Sequence, residues 1–195
     1  VSLSSEIIAK HSGYGIDKSI YGNNATLMNG SVINFTNAKF GEAMQFDGVN
    51  DYVLIGTPAS LNLGSNKLAL SAWIKTSSVK PNMRIINKRP DTGGNGYALE
   101  SRTGNIAMYF DTGGDTSIVS NGNVSDGNWH FVTGTYDGSQ KRIYIDGVLD
   151  NTESESGNML TGSQPVAIGA SVGDVSSFFN GTIDEAAIWN ISLSA

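Results

Sequence analysis

Short runs of alternating apolar and polar residues, separated by turns that contain glycine, constrain the fold of this chain more than any other feature. Leu68–Lys75 shows the pattern: its even-numbered positions carry Leu, Leu, Ala and Ile, and its odd-numbered positions carry Ala, Ser, Trp and Lys. Such alternation places successive side chains on opposite faces of a strand, with one face buried and the other partly wet. No segment shows a convincing helical period, and we therefore predict an all-β sandwich.

The same pattern predicts a series of short strands, spaced as antiparallel neighbours are. They are Ala43–Phe46, Tyr52–Ile55, Leu68–Lys75, Arg84–Asn87, Tyr97–Ser101, Ile106–Phe110, Ser117–Ser120, Trp129–Tyr136, Lys141–Asp146, Val166–Ile168 and Thr182–Trp189. The turn dipeptide Asp137–Gly138 joins two strong strands and predicts a hairpin. For Ser4–Lys10 the periodicity leaves both a short helix and an edge strand open.

The length and the composition favour one turn-rich domain. A chain of 195 residues suits a single unit over residues 1–195, and 24 glycines against 4 prolines suit many tight turns. Val1–Ser5 echoes Ile191–Ala195, which leaves open that residues 1–14 are a linker or the tail of a preceding tandem copy. The absence of cysteine excludes disulfides and thiolate metal sites.

The charge of the chain bears on its partners. A net charge of −6, with no cluster of Lys or Arg along any segment, argues against nucleic acid as a partner and permits cation binding. No apolar run approaches the roughly 20 residues that cross a bilayer, so membrane insertion is not expected.

A series of short motifs runs over nearly the whole chain. They are Asp17–Ser19, Gly22–Leu27, Lys39–Gly48 with Asp51–Val53, Leu70–Lys75, Ile85–Lys88, Gly127–Val132 with Thr135–Gly138, Ile143–Gly147, and Phe179–Glu185 with Trp189–Asn190. In this order they resemble the laminin G-like, concanavalin A-like lectin/glucanase superfamily in its bacterial and archaeal form. The resemblance implies a jelly-roll β-sandwich of two curved antiparallel sheets, whose concave face and rim loops bind sugars or proteins in relatives. One departure is Ile7–His11, where relatives usually carry an aromatic-rich strand.

The resemblance also implies a structural calcium ion, which many relatives hold where the two ends of the chain meet. The matching positions here are Asp17 and Asp184, with Asn23 and Asp47 as further candidates. Calcium requires several converging oxygens, which these side chains would supply. The alternative is that they cap turns by accepting hydrogen bonds from nearby backbone amides, as Asp and Asn do routinely.

Sugar binding would use exposed aromatic faces, on which pyranose CH groups stack, together with polar side chains that bond to hydroxyls. The candidate ligand-binding residues are Arg84, Asn87, Tyr97, Arg102, Tyr109 and Phe178. The three tryptophans, Trp73, Trp129 and Trp189, lie in strand motifs and are expected in the core. Two loops that share Asp-Thr-Gly-Gly, at residues 91–94 and 111–114, are either ligand-presenting rim loops or plain turns, and turn chemistry favours the second.

Catalysis is not expected from this sequence. Glucanases of the superfamily place two carboxylates at alternating positions of one strand, and no predicted strand has that arrangement. Asp184 and Glu185 are adjacent and would point to opposite faces of a regular strand. His11 and His130 have no supporting partners for a nucleophilic triad.

These observations predict a non-enzymatic module of a larger secreted or cell-surface protein, joined to neighbouring domains. It would bind a glycan or glycoprotein at its rim loops and would be stiffened by Ca²⁺. Two alternatives remain open. One is a structural spacer or adhesion repeat with no sugar binding, and the other is a glycoside hydrolase or lyase whose active site cannot be identified from the sequence.

Overall fold

The computed structural model describes residues 4–10, 14–17, 19–30, 32–34, 38–91, 94–172 and 177–193, and for 4–10, 14–17 and 32–34 it describes the backbone alone. The strands are β1 (Ser4–Lys10), β2 (Tyr14–Asp17), β3 (Ala25–Met28), β4 (Val32–Asn34), β5 (Ala43–Asp47), β6 (Tyr52–Gly56), β7 (Leu68–Lys75), β8 (Met83–Asn87), β9 (Tyr97–Arg102), β10 (Asn105–Asp111), β11 (Asp115–Asn123), β12 (Trp129–Tyr136), β13 (Gln140–Ile145), β14 (Val148–Ser154), β15 (Val166–Ile168) and β16 (Asn180–Trp189). The described residues contain one 3₁₀ turn, Ala59–Leu61, and no α-helix. None of them forms a helix long and apolar enough to span a membrane.

The strands form two antiparallel sheets. Sheet 1 has the order β4-β5-β16-β7-β12-β13-β14, and sheet 2 has the order β11-β10-β9-β8-β15-β6-β3-β2-β1. Strand β1 belongs to both sheets, since its first residues pair with β16 and its last four with β2. The segment for which the sequence left helix and edge strand open is therefore a strand, and it ties the N-terminal part of the chain to the last strand.

The core lies between the two sheets and follows from the alternation in the sequence. Leu68, Leu70 and Ile74 of sheet 1 are completely buried, as are Met108 and Phe110 of sheet 2. All five belong to one continuous cluster of buried apolar side chains. Burial of this apolar surface supplies the main favourable free energy of folding.

The predicted all-β jelly roll and its strands are confirmed. Three of the predicted strands have the predicted bounds, Leu68–Lys75, Trp129–Tyr136 and Val166–Ile168, and the others are shifted at their ends by up to three residues. The sequence did not predict β2, β3, β4 or β14. Strand β14 was missed because its side chains are partly or wholly exposed and it has no buried face to produce alternation.

Residues 1–3, 11–13 and 194–195 lie outside the described ranges. The prediction that the chain is one unit in a tandem array depends partly on them, and it stays a prediction.

Candidate functional site

The structure brings three of the six predicted ligand-binding residues together. Arg84, Arg102 and Tyr109 line a cleft of about 370 Å³ on the outer face of sheet 2. We call this surface the arginine cleft, and its other lining residues are Asn82, Arg89, Asp91, Glu100 and Asp115.

Two of the predicted ligand-binding residues lie in the interior instead. Tyr97 is 1% exposed, and its hydroxyl donates a hydrogen bond to the carbonyl of Leu61 at 2.9 Å. Burial raises the pKa of Tyr97 far above its usual range. Asn87 is fully buried and donates from Nδ2 to the carbonyl of Arg89 at 2.7 Å. Tyr97 occupies a position of strand β9 whose side chains point into the core. Asn87 is enclosed by the protein. Neither side chain is therefore available to a ligand. The sixth, Phe178, is partly exposed and lies outside the cleft lining.

A second surface, on the outer face of sheet 1, carries exposed aromatic rings. It is a groove of about 460 Å³. We call it the aromatic groove, and its lining residues are Phe40, Ser71, Trp73, Phe131, Glu185, Ala187 and Trp189. Strands β7, β12 and β16, which are neighbours in sheet 1, supply every lining residue except Phe40.

Three of the four aromatic rings of the groove are in contact. Trp73 lies 5.3 Å from Phe131 between ring centroids, and Phe40 meets Trp73 edge to face at 6.0 Å. The ammonium group of Lys39 lies 4.3 Å from the centroid of Trp73, a cation–π contact. Trp189 donates from Nε1 to the hydroxyl of Ser71 at 3.4 Å, which orients the indole. The groove therefore combines several aromatic surfaces with polar groups at their edges.

Trp73 and Trp189 correct the expectation that the tryptophans belong to the core. Both are partly exposed and both lie on the outer face. The alternation in β7 already carried the signal, because Trp73 occupies an odd-numbered position while the buried Leu and Ile occupy even-numbered positions. Tryptophan is often buried in proteins, but here the alternation along β7 predicts the position of Trp73 better than that general preference does. Trp129 is also partly exposed, but it does not line the groove.

Asp184 holds the loop that forms one wall of the groove. Its Oδ2 atom accepts hydrogen bonds from the backbone amides of Lys39 at 2.9 Å and Phe40 at 2.8 Å. Asp184 is 3% exposed and is paired with Trp73 across the two strands. Its carboxylate thus fixes where Lys39 and Phe40 meet the indole ring.

A β-bulge places Glu185 in the groove. The register between β16 and β7 shifts between Asp184 and Ala187, and Glu185 has a φ of 49°. In a regular strand Asp184 and Glu185 would face opposite sides, but the bulge brings both to the outer face. A left-handed φ at a non-glycine residue costs free energy and is found preferentially at functional sites.

The structure describes the contacts of three of the four predicted calcium ligands. Asp47 accepts from the amides of Val49 at 2.7 Å and Asn50 at 3.3 Å within its own turn, and Asn23 accepts from the Ser60 hydroxyl at 3.0 Å. The contacts of Asp47 match the alternative that these side chains cap turns, whereas Asn23 accepts from a side-chain hydroxyl and Asp184 accepts from amides distant in the chain. The side chain of Asp17 lies outside the described residues. Among those described, no three acidic or histidine side chains lie close enough together to hold a metal ion. Calcium binding stays a prediction.

Comparisons with known proteins agree with the fold. The chain shares its fold with the binding domain of Paraclostridial Mosquitocidal Protein 1, at a TM-score of 0.77 and 15% identity over 99% of this chain and 49% of that one. The binding domain of botulinum neurotoxin serotype D has a TM-score of 0.70 and 19% identity over 98% of this chain and 48% of that one. For the serotype G binding domain the TM-score is 0.71 at 19% identity, with coverage of 98% and 48%.

This chain therefore spans about half the length of each of these toxin domains. No curated protein sequence shows detectable similarity to it. A family model described as "Concanavalin A-like lectin/glucanases superfamily" matches residues 47–195, which is most of the sequence. The chain accordingly belongs to the concanavalin A-like lectin/glucanases superfamily.

Proposed function

We propose that this protein is a non-catalytic module that binds a glycan, on a polysaccharide or a glycoprotein, through the aromatic groove of sheet 1. It would act as part of a larger secreted or cell-surface protein. The observation that carries the proposal is the set of exposed and partly exposed aromatic rings, Phe40, Trp73, Phe131 and Trp189, that line one groove.

The chemistry of the groove suits a pyranose ring. The apolar face of a sugar presents CH groups that pack on an aromatic ring, and its hydroxyls require hydrogen-bond partners at the edge of that ring. Glu185 and the Ser71 hydroxyl are polar groups that line the groove, and the Lys39 ammonium group lies over the ring of Trp73.

The groove provides one carboxylate where glycoside hydrolysis needs two. Glu185 is the single acidic side chain among the described residues that line it. Asp184 is adjacent, but its Oδ2 atom is engaged by two amides and the residue is 3% exposed. It can neither protonate a leaving group nor activate water at the groove surface. Binding without hydrolysis is therefore the function that the groove supports best.

The fold of the similar structures agrees with this proposal in a general way. Those structures are named as binding domains or receptor-binding domains of toxins. A module that presents a receptor-binding surface within a larger protein would have the same architecture.

The test is binding to glycans. A glycan array followed by isothermal titration calorimetry with the best ligand should show saturable binding without release of products. Trp73→Ala should weaken that binding about tenfold, since loss of an aromatic contact costs on the order of 1–2 kcal/mol.

The matched control is Trp129→Ala, which removes the same side chain from the same sheet outside the groove. Its affinity should equal that of the unmodified protein. No binding to any glycan would favour the spacer alternative, and hydrolysis lost in Glu185→Gln would favour an enzyme.

A further inference from the structure

The arginine cleft gathers arginines in an acidic protein, beside the carboxylates of Asp91, Glu100 and Asp115. The chain has four arginines, and three of them, Arg84, Arg89 and Arg102, line this one cleft on sheet 2. They come from strands β8 and β9 and from the residues that follow β8, so the fold itself assembles them. The protein as a whole carries a net charge of −6, so this convergence needs a local explanation.

Arg84 is neutralised by internal partners. It forms an ion pair with Glu100, and its Nη2 atom donates to Asp91 at 2.8 Å. Asp91 is held in turn by the Ser177 hydroxyl at 2.7 Å. Arg84 and Glu100 are both almost completely buried, so this part of the cluster is structural. It forms the floor of the cleft.

Arg89 is buried but incompletely satisfied. Its side chain is 3% exposed, and its Nε atom is buried with no hydrogen-bond partner. Among the described residues its one ion-pair partner is Asp115, which contacts the Nη2 atom at 2.8 Å and is itself 45% exposed. A guanidinium group binds a carboxylate, sulfate or phosphate best through two parallel hydrogen bonds, and Asp115 supplies only one.

Arg102 lies at the exposed edge of the cleft. It donates from Nη1 to the hydroxyl of Tyr109 at 2.8 Å and forms no ion pair among the described residues. Tyr109 lies under the guanidinium of Arg89, 4.9 Å from its ring centroid. The ring therefore contacts both arginines, and the carboxylates of Glu100 and Asp115 line the same cleft.

We propose that the arginine cleft binds an oxyanion, the carboxylate, sulfate or phosphate group of a small or carbohydrate ligand, between Arg89 and Arg102 above Tyr109. Asp115 occupies part of this position in the free protein and acts as an exchangeable internal carboxylate. The site lies on the opposite outer face of the sandwich from the aromatic groove. It is independent of the glycan proposed there.

The probes are sodium glucuronate, sodium sulfate and sodium phosphate, each titrated at ionic strength matched with sodium chloride, and glucose as the neutral control. Binding is followed by the NMR shifts of the arginine Nε–Hε groups. We expect saturable shifts for Arg89 and Arg102 with at least one oxyanion and none with glucose. A response to glucuronate alone identifies a carboxylate ligand, and a response to sulfate or phosphate alone identifies an ester of that acid.

Two variants separate a binding site from a structural ion cluster. Arg102→Gln should weaken binding about tenfold, and the exposure of Arg102 makes this change compatible with folding. Asp115→Ala should strengthen binding several-fold, because it removes the internal competitor.

Arg142→Gln is the matched control, because Arg142 is the fourth arginine and pairs with Asp137 in sheet 1. It should leave oxyanion affinity unchanged. The proposal is overturned if no oxyanion shifts the Arg89 and Arg102 resonances beyond the chloride control, or if Arg102→Gln binds as well as the unmodified protein. Because neither variant touches the aromatic groove, glycan binding there can succeed or fail separately.

Discussion

Asp184 links the stability of the protein to the shape of the aromatic groove. Its buried carboxylate accepts two backbone amides from the loop that carries Lys39 and Phe40. Hydrogen bonds to a charged acceptor are stronger than those between neutral groups, and a buried amide that loses its acceptor pays a desolvation cost. A single side chain thereby determines where a neighbouring loop meets Trp73.

Removing this acceptor should destabilise the protein and loosen the groove. Asp184→Ala is expected to lower the free energy of unfolding by about 1–3 kcal/mol, as measured by urea denaturation. It should also weaken glycan binding, because Phe40 loses its fixed position. Unchanged stability in Asp184→Ala would contradict the role of this carboxylate.

Adding a chelator tests whether Asp184 binds calcium or acts only as the acceptor of the two loop amides. If a calcium ion binds near Asp184, EDTA should lower the melting temperature of the unmodified protein and excess calcium should restore it. If the carboxylate acts through the two amides alone, EDTA should have no effect while Asp184→Ala still destabilises. The two melting curves therefore decide between a metal ligand and a loop anchor.

His130 makes stability depend on pH. Its Nδ1 atom lies 2.8 Å from Asp146 and its Nε2 atom 3.1 Å from Asp126. Burial lowers the pKa of His130, but the two carboxylates outweigh burial and raise it above its ordinary value. The stabilisation by the charged imidazole is therefore complete below the unfolded pKa and is lost as the pH rises through the folded pKa.

His130→Gln should accordingly cost more stability at about pH 5.5 than at about pH 8.5. Urea denaturation of both proteins at the two pH values measures the difference. Asp126 stays ionised at both, since hydrogen bonds from Asn128 hold its pKa at about 2. An equal loss at both pH values would show that the ion pairs do not stabilise the fold.

At the scale of elements, strand β16 organises the aromatic groove. It pairs with β7 along one edge and with β5 and β1 along the other, and its bulge presents Glu185. Gly181, near its start, has a φ of 143°, and a Cβ atom there would lie 2.3 Å from the carbonyl oxygen of Lys75. Glycine is required at this position because the backbone of β7 approaches too closely for any side chain.

Gly181→Ala is therefore expected to destabilise the protein by at least about 2 kcal/mol, through the backbone conformation and the steric clash together. The comparison is Gly147→Ala, where φ is 80° but no atom lies within 4 Å of the added Cβ. The unfolding free energy of Gly147→Ala should fall less. Equal losses would mean that φ alone determines the cost.

The strands that build the core were predictable, and those without a buried face were not. Strand β7 alternates strictly, and its bounds follow from the sequence. Strand β14 has mostly exposed side chains and gives no such signal. The bulge at Glu185 is equally invisible, because it depends on the loop that Asp184 holds and not on local propensity.

At the scale of the whole molecule, two sheets around one core present two chemically different outer faces. Sheet 1 carries the aromatic groove and sheet 2 carries the arginine cleft. The sequence predicted the sandwich and named three of the eight residues that line the arginine cleft, Arg84, Arg102 and Tyr109. It did not predict the groove. Phe40 is held beside Trp73 by its hydrogen bond to Asp184, which lies 144 positions away in the chain. Pairings of that kind are set by topology and cannot be read from neighbouring residues.

The chain has three tryptophans, and their indole N–H resonances in a ¹H–¹⁵N NMR spectrum report directly on the groove. Titration with a glycan selected by array should shift the Trp73 and Trp189 resonances saturably and leave Trp129 in place. A shift of Trp129 alone, or no shift of any tryptophan when the glycan is saturating, would contradict glycan binding in the aromatic groove.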